Sequence, residues 1–539
     1  MNQADFDREN GFRIDEEIPL WRQGFEFSKQ YTRSFCSKRG LLKTARRRVP
    51  VLSWIPKYKV RNLMADIIAG VTVGIYNVPQ GMAYSVLASL PPVYGLYASF
   101  FPPLIYAILG TGFHTSIGVF SITCMMIGHA RTSLLPDGST EYKGIENLHP
   151  VDIVAALSFT TGIIQLIMWL FRLEFLTAYM SDAVVNGFMF GAAIHSARSQ
   201  LPALLGIKVP NRDSEFFMII YQLIDICKEF DHVNWKVLLI SLTSITFLLG
   251  SRFLSDRYWP FKKIPFPSEL ILLVSVTIFS HFLKIHEKWK VNIINDIPTG
   301  FPPFHFPNLK LFPHLLSYGL SIAVVAFAIT VSMGKMFAKK HGYTINPNQE
   351  LLALGTVSVF SSMFNVFPTS CSLSRTLVNE ASGAKSQISG VISASITLVV
   401  ILVVGPLLED LPMCVLSSIV IVALRSLMMK VTEVGPLYKI SKIDAAIWVI
   451  TAICVLGYDI VEGLVAGVVL AVLSVIARTQ WPPMNEMGRL PCGDFRVANR
   501  FSAAIPPIVP VIRFDAPLIF TNVERFKRAI RHEIHTLSR

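Results

Sequence analysis

The sequence predicts an all-α polytopic membrane protein of fourteen spans, arranged as a 7+7 inverted repeat in which two segments are interrupted half-helices. Three observations lead there. Of 539 residues, 52% are apolar and only 16% charged, well below the ~25% charged residues of ordinary soluble domains. The stretch from Ile67 to Ala130 holds 64 residues without a single Asp, Glu, Lys or Arg, where one spanning helix needs about 20. Two apolar segments too short to cross a bilayer also recur at the same place in each half of the chain.

The charge divides the chain into three parts. Residues 1–62 carry 14 basic and 7 acidic side chains and residues 479–539 carry 9 and 5, while 63–478 carry 26 and 24 in 416 residues. A cytoplasmic amino-terminal tail (1–62), a transmembrane transport domain (63–478) and a cytoplasmic carboxy-terminal part (479–539) follow. The tail is polar and lacks the apolar core of a signal peptide, so the first span serves as its own insertion signal. Lys43, Arg46, Arg47 and Arg48 just before that span read as topogenic charge, with attraction to anionic lipid headgroups as the alternative. Seven scattered cysteines without CxxC spacing indicate neither a zinc site nor a disulfide framework.

Proline and glycine punctuation places the first seven spans near 65–88, 93–110, 117–130, 151–171, 178–197, 234–253 and 267–285. The second seven fall near 315–338, 349–366, 370–383, 387–408, 411–428, 442–457 and 460–478. With both termini cytoplasmic, Arg252, Arg257, Lys262, Lys263, Lys335, Lys339, Lys340, Lys430, Lys439, Lys442 and Arg478 fall inside, as the positive-inside rule requires. The acidic positions Asp137, Glu141, Glu146, Glu409, Asp410, Asp459 and Glu462 fall outside, and the mixed loop from Lys284 to Lys310 fits less well. Beyond the last span, Pro506 to Ile519 reads as a strand and Glu524 to His535 as an amphipathic helix, too short a stretch to bury a core of its own.

A permease for ions replaces water with fixed dipoles, and a helix starting inside the membrane offers free N–H groups and partial positive charge to an anion. Gly110 to Gly118 is expected to be extended, with Val119 and Phe120 entering a helix. Asn365 to Ser372 leads likewise into Leu373, Ser374 and Arg375. Each break alone is equally well read as a tight turn between spans; the matched pair favours two helix starts facing one another. Arg375 ends a 24-residue uncharged stretch from Leu351, which makes it a candidate intramembrane cation, with a surface topology anchor as the alternative. Neither uncharged stretch contains a carboxylate, as a cation site would want, so the expected solute is an anion. Gln80 follows Pro79 and can donate from its amide, either to that solute or to a neighbouring helix, and Tyr84 shares its face one turn later. His114, His129 and His195 read as packing residues. No nucleophile–base, metal-ligand or phosphate-loop constellation points to an enzyme or to a cofactor.

The stretches Pro92 to Ser99, Leu104-Ile105-Tyr106, Gly110-Thr111 with His114, Lys340 to Tyr343, Asn348 to Gly355 and Cys371 to Val378 together resemble the sulfate permease (SulP) family, in its animal solute-carrier branch. Gly112 and Phe113 depart from the family pattern, which has Ser and a basic residue there. The resemblance implies a core and a gate domain drawn from both repeats and an elevator-like movement of the core. It also implies a central anion site of Gln80, Tyr84, Val119, Phe120, Leu373, Ser374 and Arg375, and a homodimer. Val509 to Ile534 is similar to the start of the family's STAS domain, so 479–539 is expected to be a linker followed by an incomplete α/β STAS unit. Proton-coupled relatives carry a Glu where this chain has Ile329.

The expected function is secondary-active exchange of small anions of the sulfate, oxalate, chloride and bicarbonate class in the plasma membrane, with membrane lipid but no nucleic acid as a further partner. A chloride channel or voltage-responsive motor on the same scaffold, or a non-transporting regulator, are the competing readings.

Overall fold

The computed structural model describes residues 48–537 apart from 136–140, 143–147, 176–180, 208–217, 259–265, 295–299, 459, 492, 503 and 506–510. Lys43, Arg46, Arg47, Lys262, Lys263, Asp137, Glu146, Asp459, Cys36 and Cys492 lie outside the described residues.

The first half of the chain forms α1 (Leu63–Leu87), α2 (Val93–Leu109), a two-residue strand β1 (Ile117–Gly118), α3 (Ser121–Leu134), α4 (Pro150–Leu170), α5 (Asp182–Leu205), α6 (Met218–Lys228), α7 (Trp235–Tyr258) and α8 (Ser268–Leu283). The second forms α9 (Phe312–His341), α10 (Pro347–Ser362), β2 (Ser370–Cys371), α11 (Leu373–Ala381), α12 (Ile388–Val399), α13 (Met413–Met428), α14 (Lys442–Gly457) and α15 (Ile460–Gln480). Each predicted span has a helical counterpart, with boundaries shifted by a few residues at most ends. Helix α5 overruns its expected end, reaching Leu205 where Gly206 at φ 67° closes it in a left-handed cap, and α12 gives way after Val399 to a π turn and a 3-10 turn that carry the chain to Leu408. Helix α6 was not expected. Among the described residues, five helical stretches are long and apolar enough to cross a membrane: Pro150–Leu170, Trp235–Ser255, Leu309–His341, Met413–Ile440 and Ile460–Gln480.

Local sequence accounts for the ends. Asn346 caps α10 by accepting from the backbone N–H groups of Asn348 (3.1 Å) and Gln349 (3.3 Å), and Pro347 occupies the first helical position. Gly342 at φ 69° closes α9. Asn365, at φ 56°, turns the chain out of α10 toward β2; asparagine tolerates this left-handed conformation better than other residues with a Cβ.

Packing divides the helices into two groups. Helix α1 packs on α2 and α12, and α4 on α9 and α10, so α1–α4 and α9–α12 form one body. Helix α5 packs on α13, α14 and α15, and α7 on α13, in the other. The pairings recur when each segment is exchanged for its counterpart in the other half: α1 with α12 matches α9 with α4, and α5 with α14 matches α13 with α7. Close approach within the first group depends on glycine. A Cβ at Gly95 would stand 1.9 Å from the carbonyl oxygen of Gly81, so α1 and α2 meet backbone to backbone there.

The second group turns apolar faces outward. Leu239, Leu242 and Phe253 of α7, Phe279 and Phe282 of α8, and Val465, Val469 and Leu473 of α15 are exposed. Such faces are stable against lipid tails and costly in water.

The carboxy-terminal part is more structured than expected. Strands β3 (Met484–Arg489), β4 (Phe495–Val497) and β5 (Val511–Phe514) form an antiparallel sheet in the order β4-β3-β5, followed by α16 (Val523–Leu537). Of the strand expected over 506–519, residues 506–510 lie outside the described residues and Val511–Phe514 form β5, while β3 and β4 were not foreseen. Buried Asn522 ties this unit to α15, its amide donating to the carbonyls of Thr479 (3.1 Å) and Pro517 (3.0 Å).

Candidate functional site

The two broken segments meet. β1 and β2 pair antiparallel, Ile117 opposite Cys371 and Gly118 opposite Ser370. Helix α3 begins three residues after β1 and α11 two residues after β2, so both helix starts flank a single two-rung ladder. The first N–H groups of each helix and the positive ends of their dipoles are brought to one region.

Further bonds hold the lead-in strands. The Ser116 N–H donates to Thr376 Oγ1 (3.1 Å), Asn379 donates to the His114 carbonyl (3.0 Å), and Gln387 donates to the Thr115 carbonyl (2.9 Å) and to that of Gly112. Buried Glu350, in the first turn of α10, accepts from Tyr106 Oη (2.8 Å), the Thr111 N–H (2.8 Å) and the Thr111 hydroxyl. Buried Asp66 in α1 accepts from the N–H groups of Lys385 (2.6 Å) and Ser386 (3.1 Å), from Ser386 Oγ (2.7 Å) and from Tyr58 Oη (2.8 Å). Charge-assisted bonds of this kind pin α1, α10 and the turn before α12 around the extended segments.

A cavity of about 380 Å³ opens beside the helix starts. Gln80, Tyr84, Phe120, Leu373, Ser374 and Arg375, six of the seven residues expected at the site, line it. Val119 does not; it is fully buried and packs in the core. Val119 and Phe120 also precede the helix rather than enter it. Phe120 is the extended residue at the cap of α3, and the first helical residue is Ser121, whereas Leu373, Ser374 and Arg375 form the first turn of α11 as expected.

Arg375 dominates the electrostatics. It is 1% exposed, and none of its three guanidinium nitrogens has a hydrogen-bond partner. The group stands among Tyr84, Cys371 and Cys124 and so close to Gly118 that a Cβ there would be 3.0 Å from Nη2. A buried cation with no hydrogen-bond partner costs several kcal/mol, and an anion in the adjoining cavity would offset that cost. The Gln80 side-chain oxygen is likewise buried without a partner.

The sequence reading missed Tyr76, Ser251, Arg252, Phe266, Ser268, Glu269 and Ser426, which line the cavity from α1, α7, α8, α13 and the approach to α8. Glu269 is a carboxylate 3% exposed in the first turn of α8, 3.4 Å from Arg252. It lies outside the uncharged stretches from which an acid-free site was argued. The pattern Pro265-Phe266-Pro267-Ser268-Glu269 ahead of an apolar run was the available signal, since an acid at a span's start reads equally as a helix-dipole partner.

His114 stacks on His341 with ring centroids 4.1 Å apart and lies 3.3 Å from the Tyr343 hydroxyl. It is buried under the lead-in strand and does not line the cavity.

The chain matches other proteins along most of its length. The family model described as the sulfate permease family matches residues 63–451. The chain is 37% identical over 510 residues to the sulfate transporter of Equus caballus, covering 89% of this chain and 69% of that one. It is 33% identical over 522 residues to solute carrier family 26 member 6 of Homo sapiens, covering 96% and 69%. Its fold is similar to a solved structure of SLC26A9 at a TM-score of 0.83 and 30% identity, covering 96% of this chain and 80% of that one. The murine Slc26a9 anion transporter in the inward-facing state gives 0.83 and 29%, covering 98% and 84%. The transmembrane domain of the cyanobacterial bicarbonate transporter BicA shares the fold at 0.62 and 21% identity, covering 77% and 98%. With its apolar helices and broken-segment cavity, this chain is a multi-pass membrane protein belonging to the sulfate permease family of anion transporters.

Proposed function

We propose that the chain is a secondary-active exchanger of small anions of the sulfate, oxalate, chloride and bicarbonate class, carrying them one at a time through the cavity at the two helix starts. The observation that carries the reading is Arg375, a fully buried guanidinium without a partner on the wall of a cavity that faces two helix N-termini. Gln80 and Ser374 supply neutral donors, Tyr84 and Phe120 shape the wall, Leu373 opens the second half-helix, and Val119 supports the site from behind. In this reading fourteen spans form an inverted repeat. The α1–α4 and α9–α12 body is the moving core, and the α5, α7, α8 and α13–α15 body is the gate against which it slides. The matched pairings between the halves support that division. Both termini are cytoplasmic, the protein works as a homodimer in the plasma membrane, and β3–β5 with α16 belong to a STAS unit.

The names of the relatives favour sulfate among the substrates. Counterflow of labelled sulfate against a panel of unlabelled anions in reconstituted vesicles tests the reading. Trans-stimulation by sulfate, oxalate or chloride is expected. Large chloride current without trans-stimulation would replace the exchanger with a channel, and charge displacement without flux would replace it with a motor.

A further inference from the structure

The exchanger reading leaves the buried carboxylate of the cavity unused. Glu269 is buried on the wall shared with Gln80 and Arg375. Its Oε1 lies 3.4 Å from Arg252 Nη2, and its buried Oε2 has no hydrogen-bond partner. It also lies within interaction range of the Gln80 side chain, across the boundary between the two helix groups. The approach to α8 is fastened to α1 by the Tyr76 hydroxyl, which donates to the Phe266 carbonyl (2.8 Å). The carboxylate is thereby held in the field where an anion would sit. A negative charge there opposes the solute, and the helix dipole that an acid in the first turn of α8 serves leaves its second oxygen bare.

Resting on the anion-cavity assignment, we infer that Glu269 sets the charge of the cavity by taking up a proton from the water that fills it, and so decides between monovalent and divalent anions. Ionised, it leaves one net positive charge from Arg252 and Arg375, suited to an anion such as chloride. With a proton on Oε2 it becomes a neutral donor, and the two arginines present two positive charges to a divalent anion such as sulfate. The proton comes from the solution the cavity faces and is released when the divalent anion leaves. A sulfate accompanied by one proton then carries the same charge as a chloride, so the two exchange without net charge movement. The groups that interact with Glu269 are Arg252 from α7 and Tyr76, Gln80 and Tyr84 from α1, and Arg375 from α11 lines the same cavity. From α13 only Ala423, Ser426 and Leu427 line the cavity, none of them ionisable.

The test is anion binding to the purified full chain, read as thermal stabilisation by sodium sulfate and sodium chloride between about pH 5 and about pH 8. In the unmodified protein, sulfate affinity should rise at least about fivefold toward acid while chloride changes less. In Glu269→Gln, sulfate affinity should be flat with pH. Glu269→Asp should keep the dependence, and Arg252→Gln should move its onset to higher pH because the carboxylate loses its cationic neighbour. A flat or inverted sulfate profile in the unmodified protein overturns the inference while leaving the anion cavity standing, as does a full pH dependence in Glu269→Gln. If Glu269→Gln fails to fold, an unmoved onset in Arg252→Gln overturns it. Absence of binding by any anion at any pH removes the anion cavity and this inference together.

Discussion

Replacing Arg375 with Gln removes the guanidinium and keeps a hydrogen-bonding side chain, so it isolates the contribution of charge. A sphere with the volume of the cavity has a radius of about 4.5 Å, which puts a centred anion about 5 Å from a guanidinium on the wall. At an effective dielectric constant of about 20, that separation gives about 3 kcal/mol for a monovalent anion and about 7 for a divalent one. Water in the cavity and the half-exposed Arg252 on the same wall reduce both by about half, to about 1.5 and about 3 kcal/mol. Chloride affinity should therefore fall about tenfold and sulfate affinity a further tenfold or more. Binding isotherms for each anion on the purified variant, with counterflow in vesicles, measure this. Because Arg375 is buried without a partner, its removal should leave the anion-free protein as stable as before or more so. Equal weakening of chloride and sulfate, or a variant that loses stability without any anion present, would refute the assignment of Arg375 as the solute's counter-charge.

Other perturbations separate the scaffold from the site. Gly95→Val places side-chain carbon against the backbone of Gly81, an overlap neither helix can relieve by a rotamer change. A loss of more than about 3 kcal/mol is expected, seen as absence of monodisperse protein on size-exclusion chromatography. Asp66→Ala strands the donors of Lys385, Ser386 and Tyr58 between α1 and the turn before α12. It should cost about 3–5 kcal/mol, read as a lowered melting temperature with or without anion. Asp444→Ala breaks the 2.6 Å ion pair with Arg478, whose side chains are 34% and 49% exposed. It should change the melting temperature by no more than about 1 kcal/mol implies.

The spans were legible because the bilayer imposes one strong rule: backbone polar groups must be paired within the segment, and side chains must be apolar. That rule locates the long apolar helices with ease and says little about α6, whose residues include Asp225 and Lys228. The broken segments were legible for a different reason. Glycine, threonine and serine between Gly110 and Gly118, and Asn365 with Pro368, cannot continue a helix cheaply, and both runs fell at the third place in their halves. The helix start at Ser121 rather than Val119 was not legible, since two β-branched or aromatic residues fit either state. Arg252 and Glu269 were hidden by their proximity to loops, where charge is the ordinary expectation. Only the packing of α8 against α1, and of α7 against α8 and α13, turns them toward the cavity. Strands β3 and β4 were missed because Met484–Arg489 shows no clean alternation of apolar and polar residues.

The most direct measurement is a density map of the full chain in lipid nanodiscs at a saturating concentration of a heavy divalent anion such as selenate. The account predicts a peak bounded by Phe120 and Ser121 on one side and Leu373 to Arg375 on the other, with the Arg375 guanidinium turned toward it. Density for the anion only at a place remote from both helix starts, under conditions where binding in solution is established, would contradict it.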